Sequence, residues 1–193
     1  MSALNAFIVC EGLDGAGKTT AIQHAMKNLD GVVYNKGLNG TWLGKLGKRI
    51  PITLLFLVDL VYQTYFAIKP SLKQGKTVIQ DRYDLSVLSH PDTDKWYNRL
   101  CAALLRPFLL KPDVLVYFTV SQDERIKRLR KGPYNFYHRL LVENPDLISE
   151  REKQYQKLYD CFDGPKLTID TTGKTIEQSV NELYPAIPKN PIL

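Results

Sequence analysis

Cysteine is scarce in this 193-residue chain, and Cys10, Cys101 and Cys161 are odd in number, widely spaced and without a CxxC pair. Such a pattern points to neither a disulfide framework nor a zinc site, and a reducing cytoplasm is the expected setting. Long apolar runs are also lacking. The N-terminal stretch Leu4 to Cys10 is too short and too lightly flanked for a signal peptide. Ile52 to Ile68 is short for a bilayer and is interrupted by Asp59 and Gln63, so it reads as a buried helix and no membrane association is expected. There is no internal repeat and no low-complexity segment. Nor is there a basic tail: 26 Lys and Arg against 20 Asp and Glu give a formal charge of +6, which favours anionic partners. The densest run, Arg125 to Lys131, is confined to one short segment, which favours a local phosphate site over nucleic acid.

A hydrophobic content of 44% over this length can bury one sizeable core, so residues 1–193 are expected to form a single domain. Ala6 to Cys10 is a continuous apolar run, the pattern of a central strand covered on both faces. Lys18 to Leu29 carries Ile22, Ala25, Met26 and Leu29 at helical spacing, and Asp30-Gly31 closes it before the strand Val32 to Tyr34. Pro51 opens a long apolar helix to Ile68, with a kink at Pro70 and a stop at Gly75. Strands follow at Thr77 to Gln80, Val114 to Phe118 and Lys166 to Asp170. They alternate with helices at Trp96 to Leu110, from Ser121 to Gly132-Pro133, from Pro145 to about Phe162, and from Thr175 to Tyr184, which Pro185 stops. Ser121 and Glu124 have capping-box spacing, and Pro188 to Leu193 reads as a loose tail. The alternation implies an α/β fold, a five-stranded parallel sheet with helices on both faces, and a ligand at the carboxyl ends of its strands.

Gly12-Leu13-Asp14-Gly15-Ala16-Gly17-Lys18-Thr19 follows the first strand and opens the first helix. The glycines and Ala16 let successive backbone N–H groups converge on phosphate oxygens at a helix N-terminus, so this is a P-loop for ATP·Mg²⁺. Lys18 would reach the β and γ phosphates, Thr19 would hold the metal through its hydroxyl, and Thr20 supports the helix start.

Beyond that loop the whole chain resembles the thymidylate kinases, a family of P-loop nucleoside monophosphate kinases. The resemblance is carried by Glu11 to Thr20, by Asp81-Arg82-Tyr83 with Ser86, by the gapless segment from Leu54-Leu55-Phe56 through Lys69-Pro70-Ser71-Leu72 to Gly75, by Lys111-Pro112-Asp113 with Glu124 to Arg128, and by Ile169-Asp170 with Gly173. It implies transfer of the ATP γ-phosphoryl group to a nucleoside monophosphate, with dTMP as the leading acceptor. In that comparison Arg82 holds the acceptor phosphate, or else forms a surface ion pair. Asp81 orients Arg82 or a magnesium-bound water. Asp14 meets the acceptor sugar or only stabilises its turn, and Gly173 borders the adenine. Gly15 stands where one branch of the family has a catalytic arginine, so that charge is expected from a lid at about 130–145, with Arg128 and Arg130 as candidates.

The base-reading positions depart from the family. Phe56 keeps the aromatic that stacks on thymine, but Leu60 replaces an arginine that reads its edge, and Val87 and His90 replace polar or aromatic contacts. Gln63, one turn beyond Asp59, either offers an amide to the base or lies on a solvated helix face. Lys36 in Lys36-Gly37-Leu38-Asn39-Gly40-Thr41 keeps the charge of a family arginine without its fork. Tyr155 either lines the acceptor pocket or packs. No carboxylate near Gly37 could deprotonate a sugar hydroxyl, which disfavours a nucleoside acceptor. Three readings stand: a thymidylate kinase, a kinase for another or modified pyrimidine nucleotide, and a regulatory nucleotide-binding module. The resemblance also implies a homodimer through the apolar helices.

Overall fold

The computed structural model describes residues 5–37, 53–90, 95–132 and 136–188. The expected loop positions from Leu38 to Thr41, Gly44 and Lys45, the expected helix start at Pro51, Pro133 and most of the C-terminal tail lie outside these residues.

Strands β1 (Phe7–Glu11), β2 (Val32–Lys36), β3 (Thr77–Asp81), β4 (Val114–Thr119) and β5 (Lys166–Asp170) form one sheet in the order β2-β3-β1-β4-β5, with every neighbouring pair parallel. Side chains alternate between two cores, as the pleat requires. Phe7, Val9, Val78, Leu115 and Tyr117 face one hydrophobic cluster, and Ile8, Cys10, Ile79, Val116 and Phe118 face the other. Helices α1 (Lys18–Met26) and α9 (Ile176–Leu183) cover the second face. The first is covered by α2 (Thr53–Gln63), α4 (Asp84–Leu88), α5 (Trp96–Leu105) and α8 (Pro145–Asp160), with α7 (Phe136–Glu143) and α6 (Gln122–Lys131) at its rim. Central β1 therefore has β3 on one side and β4 on the other. The crevice beyond its carboxyl end is the switch point at which such sheets take ligands.

Local signals were overridden at several places. The helix expected through Pro70 continues as a π turn, Thr64–Ile68, into α3 (Lys69–Lys73), and the Lys69 N–H bonds the Thr64 carbonyl five residues back. Proline has no N–H and clashes with the carbonyl four residues back, and the widened turn just before it accommodates both. Ser121 makes no side-chain cap on α6. Glu124 accepts from Arg128 and from the Gly173 N–H at 3.0 Å instead, so the expected capping box is absent there. A complete capping box stands at Thr175 and Gln178. Helix α9 ends at Leu183, as Pro185 requires, and the proline sits in the 3₁₀ turn Tyr184–Ala186 that follows. No described helix is long and apolar enough to cross a membrane.

Candidate active site

The turn after β1 wraps an anion-sized hollow. Gly12 has φ +141°, and a Cβ there would lie 2.4 Å from the Phe118 carbonyl oxygen, so only glycine lets β1 leave the sheet this close to β4. Helix α1 begins with no side-chain cap and no acidic residue in its first turn. Its first N–H groups are thus left for an external acceptor, and the helix dipole adds partial positive charge at the same point. A cleft of about 330 Å³ results, lined by residues 13–20 and Arg128.

Two ion pairs flank this cleft. On one side Lys18, almost fully buried, places Nζ 2.6 Å from Asp81 Oδ1. The other carboxylate oxygen accepts from Thr19 Oγ1 at 2.6 Å and from the Tyr34 hydroxyl at 3.1 Å. Burial pushes the Asp81 carboxyl up, but the charge and hydrogen bond of Lys18, the Thr19 hydroxyl and the Arg82 charge together hold the group below its usual range. Burial and the nearby Arg82 charge make Lys18 give up its proton more readily than a free lysine, against the pull of Asp81. On the other side Arg82 pairs with Asp14 and donates Nη1 to Ser86 Oγ at 3.3 Å. Burial would raise the Asp14 carboxyl, but Arg82, with help from His138 and Lys18, keeps it well below the carboxylate range. His138 on α7 approaches Asp14 from across the cleft, with Nε2 at 3.8 Å.

Behind Arg82 lies a polar hub that the sequence did not reveal. Glu11, fully buried at the end of β1, accepts from the Tyr83 and Ser86 N–H groups at 2.8 and 3.1 Å and from Ser86 Oγ at 2.5 Å. It caps α4 from a different element, and burial raises its carboxyl. Tyr155 is fully buried, stacks on Tyr117 and donates its hydroxyl to Ser86 at 2.7 Å. Its position is therefore one of packing and support, not of lining an open pocket. Arg151, one turn earlier on α8, is also buried and comes within 3.5 Å of Ser89 Oγ. Its spacing of four from Tyr155 is the helical signal that could have placed it.

The two arginines chosen from the basic run separate. Arg128 reaches Gly15 and Thr171 carbonyls at 3.3 and 2.9 Å and Thr171 Oγ1 at 2.8 Å, tying the phosphate loop to the turn that contains Gly173. Arg130 is exposed on the far side of α6, since two residues turn a helix by roughly 200°. The expectation that it faces the triphosphate is corrected on that ground. Arg125, fully buried, is structural: it donates to the Asp14 carbonyl at 2.8 Å and pairs with Glu152.

Among the base-reading positions Phe56 is half-buried against the first core. Leu60 and Val87 are inside that core. Gln63 is also corrected. It is buried, neither solvated nor turned toward a base, with Nε2 bound to Asp59 and Oε1 accepting from Asn35 and Gln80. Lys36 is exposed at the end of β2, level with Asp81 across the sheet.

Comparison with known proteins agrees with this geometry. The thymidylate kinase family model matches residues 10–183. A probable thymidylate kinase of Thermococcus onnurineus is 30% identical over 92% of this chain and 94% of its own, and one of Methanocaldococcus jannaschii is 28% identical over 93% and 94%. The solved thymidylate kinase of Candida albicans shares the fold with a TM-score of 0.74 and 25% identity, covering 95% of this chain and 91% of its own. A phosphate loop at the switch point of a five-stranded parallel sheet, matched along nearly its whole length by these relatives, shows that the chain belongs to the thymidylate kinase family of nucleoside monophosphate kinases.

Proposed function

We propose that the chain transfers the γ-phosphoryl group of ATP to dTMP, giving dTDP and ADP. The observation that carries this reading is a set of two cation–carboxylate pairs, Lys18–Asp81 and Arg82–Asp14, each joining the phosphate loop to the end of β3. In phosphoryl transfer the protein mainly positions the reactants and neutralises charge, and this arrangement supplies one cation to each partner. The loop N–H groups and Lys18 hold the β and γ phosphates of ATP. Arg82 swings from Asp14 to the acceptor phosphate and keeps it in line, while Ser86 steadies the guanidinium. Asp14, once released, can accept from the acceptor sugar, and His138 on the lid helix moves with it. Arg128 keeps the turn at Thr171 and Gly173 against the loop, and the adenine is assigned to that side. Phe56 offers its face to the base.

The oxygens of Thr19 and Asp81 fit a hard cation, since they lie within 2.6 Å of one another and the carboxyl is held ionised. Thr19 and Asp81 would hold magnesium there, and its charge would help neutralise the phosphates during transfer.

A second reading, a kinase for another pyrimidine monophosphate, is favoured by one observation. Leu60 and Val87 lie in the core, so neither can read the base edge. The Candida albicans relative has a broad substrate specificity. An ADP-release assay with magnesium ATP against dTMP, other pyrimidine monophosphates, thymidine and single-stranded DNA separates the possibilities. Turnover is expected with dTMP and not with thymidine or DNA. A higher kcat/KM for another monophosphate would select the second reading, and ATP binding without turnover on any acceptor would reject both.

A homodimer completes the proposal. Tyr62, Phe66, Trp96, Leu100 and Leu104 are exposed on α2, the π turn and α5, which pack side by side. A second copy could cover this apolar face. Light scattering should give twice the chain mass, and Phe66→Asp should return it to the monomer mass. A monomeric wild-type protein would refute the dimer.

A further inference from the structure

Arg82 is the single non-glycine residue with positive φ among those described, at +72°. Residues with a Cβ avoid this conformation, so the surrounding structure must hold it. Its N–H bonds the Cys10 carbonyl at 3.0 Å, an ordinary continuation of the sheet. Its carbonyl is held by a side chain: Gln80 Nε2 donates to it at 3.1 Å.

Gln80 sits in β3 and is fully buried, an unusual place for an amide. Its own orientation is fixed by a chain of bonds from α2. Asp59 accepts from Gln63 Nε2 at 2.6 Å, and Gln63 Oε1 accepts from Gln80 Nε2 at 3.2 Å and from Asn35 Nδ2 at 3.0 Å. Asn35 Nδ2 also donates to Gln80 Oε1 at 2.7 Å. Both ends of this chain are acceptors only, the Asp59 carboxylate and the Arg82 carbonyl, so the amides between them have one consistent orientation. The loop after β2 presses on the same bond. The Gly37 N–H bonds the Asp81 carbonyl at 2.9 Å, and a Cβ on Gly37 would lie 2.0 Å from the Arg82 carbonyl oxygen and 2.6 Å from Gln80 Nε2.

We propose that Gln80 is the positioning residue for Arg82: its amide, aligned by Gln63 and Asp59, keeps the Arg82 backbone left-handed so that the guanidinium stands at Asp14 and Ser86. This rests on the reading of Arg82 as the ligand of the acceptor phosphate. Gln80 itself touches no substrate. The network also joins the end of β2, which carries Lys36, to Arg82, so both parts of the acceptor side are set by one buried amide.

Gln80→Met removes the donor while keeping the length of the side chain. It should lower kcat/KM for dTMP by about 10- to 100-fold, the cost of misplacing a reacting group, with KM for ATP within about twofold of wild type. In an Arg82→Ala background the same change should cost less than about twofold, because its effect passes through Arg82. A full additional loss there would mean that Gln80 acts otherwise and would overturn the proposal. Gly37→Ala, which pushes on the Arg82 carbonyl from the loop side, should reproduce the pattern and serves as the second route if Gln80→Met folds poorly. An unchanged kcat/KM for dTMP in Gly37→Ala would count against the proposal. A crystal structure of Gln80→Met gives a readout independent of the reaction. Arg82 should leave its left-handed backbone or its contact with Asp14, and an unmoved Arg82 overturns the inference. Absence of dTMP turnover in the wild-type protein would instead strike the functional reading and leave this structural test in force.

Discussion

Lys18→Ala is expected to lower kcat on the order of 10³-fold, the upper range for losing one preorganised charge at a reacting centre. Lys18 is the cation inside the phosphate loop, almost wholly buried and held 2.6 Å from Asp81. A side chain held this way needs no large movement to turn from the carboxylate to an incoming phosphate. Burial first, and then Arg82, make Lys18 readier to lose its proton, and the charge of a triphosphate would oppose that shift. Without it the Asp81 carboxylate keeps hydrogen bonds from Thr19 and Tyr34 among the described residues, and the γ-phosphoryl loses the cation of the loop. The backbone N–H groups remain, so the variant should still bind ATP, measurably by calorimetry, while ADP release with saturating dTMP is lost. Lys18→Arg should recover little, because the planar fork is larger than the buried slot and cannot act as a point charge there. A wild-type kcat in Lys18→Ala would refute the role given to this residue.

The parts of this site that were legible in the sequence are those fixed by short-range geometry. The loop from Gly12 to Thr19 needs its glycines at set places along a strand-to-helix turn, and β1, β3 and β4 read as apolar runs because each is covered on both faces. Gln80 and Glu11 were not legible. Each is a polar residue in a core strand whose partners lie far along the chain, Glu11 meeting the Tyr83 N–H across 72 residues and Gln80 meeting Gln63 across 17. For the same reason α4 was missed: its five residues carry no local capping signal, and the carboxylate that caps it belongs to β1. Gln63 was ambiguous because helical spacing gives a face but not what covers it. Arg128 and Arg130 are alike in composition and belong to one basic run, and only the turn of α6 sends the first to the phosphate loop and the second to solvent. Ser121 and Glu124 show the opposite failure, in which a correct local pattern lost to tertiary bonds from Arg128 and Gly173.

Arg82→Ala should lower kcat/KM for dTMP on the order of 10²-fold or more and leave KM for ATP nearly unchanged. The guanidinium bonds Asp14 and Ser86 at once, a fork that a lysine cannot reproduce, so Arg82→Lys should rescue little. Removal also leaves Asp14 facing Lys18 and His138, whose Nε2 lies 3.8 Å away. The backbone supplies an independent check. At φ +72° alanine is as strained as arginine, whereas glycine is not, so Arg82→Gly should be more stable than Arg82→Ala by roughly 1 kcal/mol in urea unfolding. Both variants should nonetheless be equally poor enzymes. That combination would mean that the chain keeps an unfavourable backbone conformation at this position for the sake of where the guanidinium stands. Equal stability of the two variants would instead mean that the left-handed turn relaxes once the side chain is gone. In that case the geometry at Arg82 is held by its own contacts with Asp14 and Ser86 as much as by the carbonyl bond from Gln80.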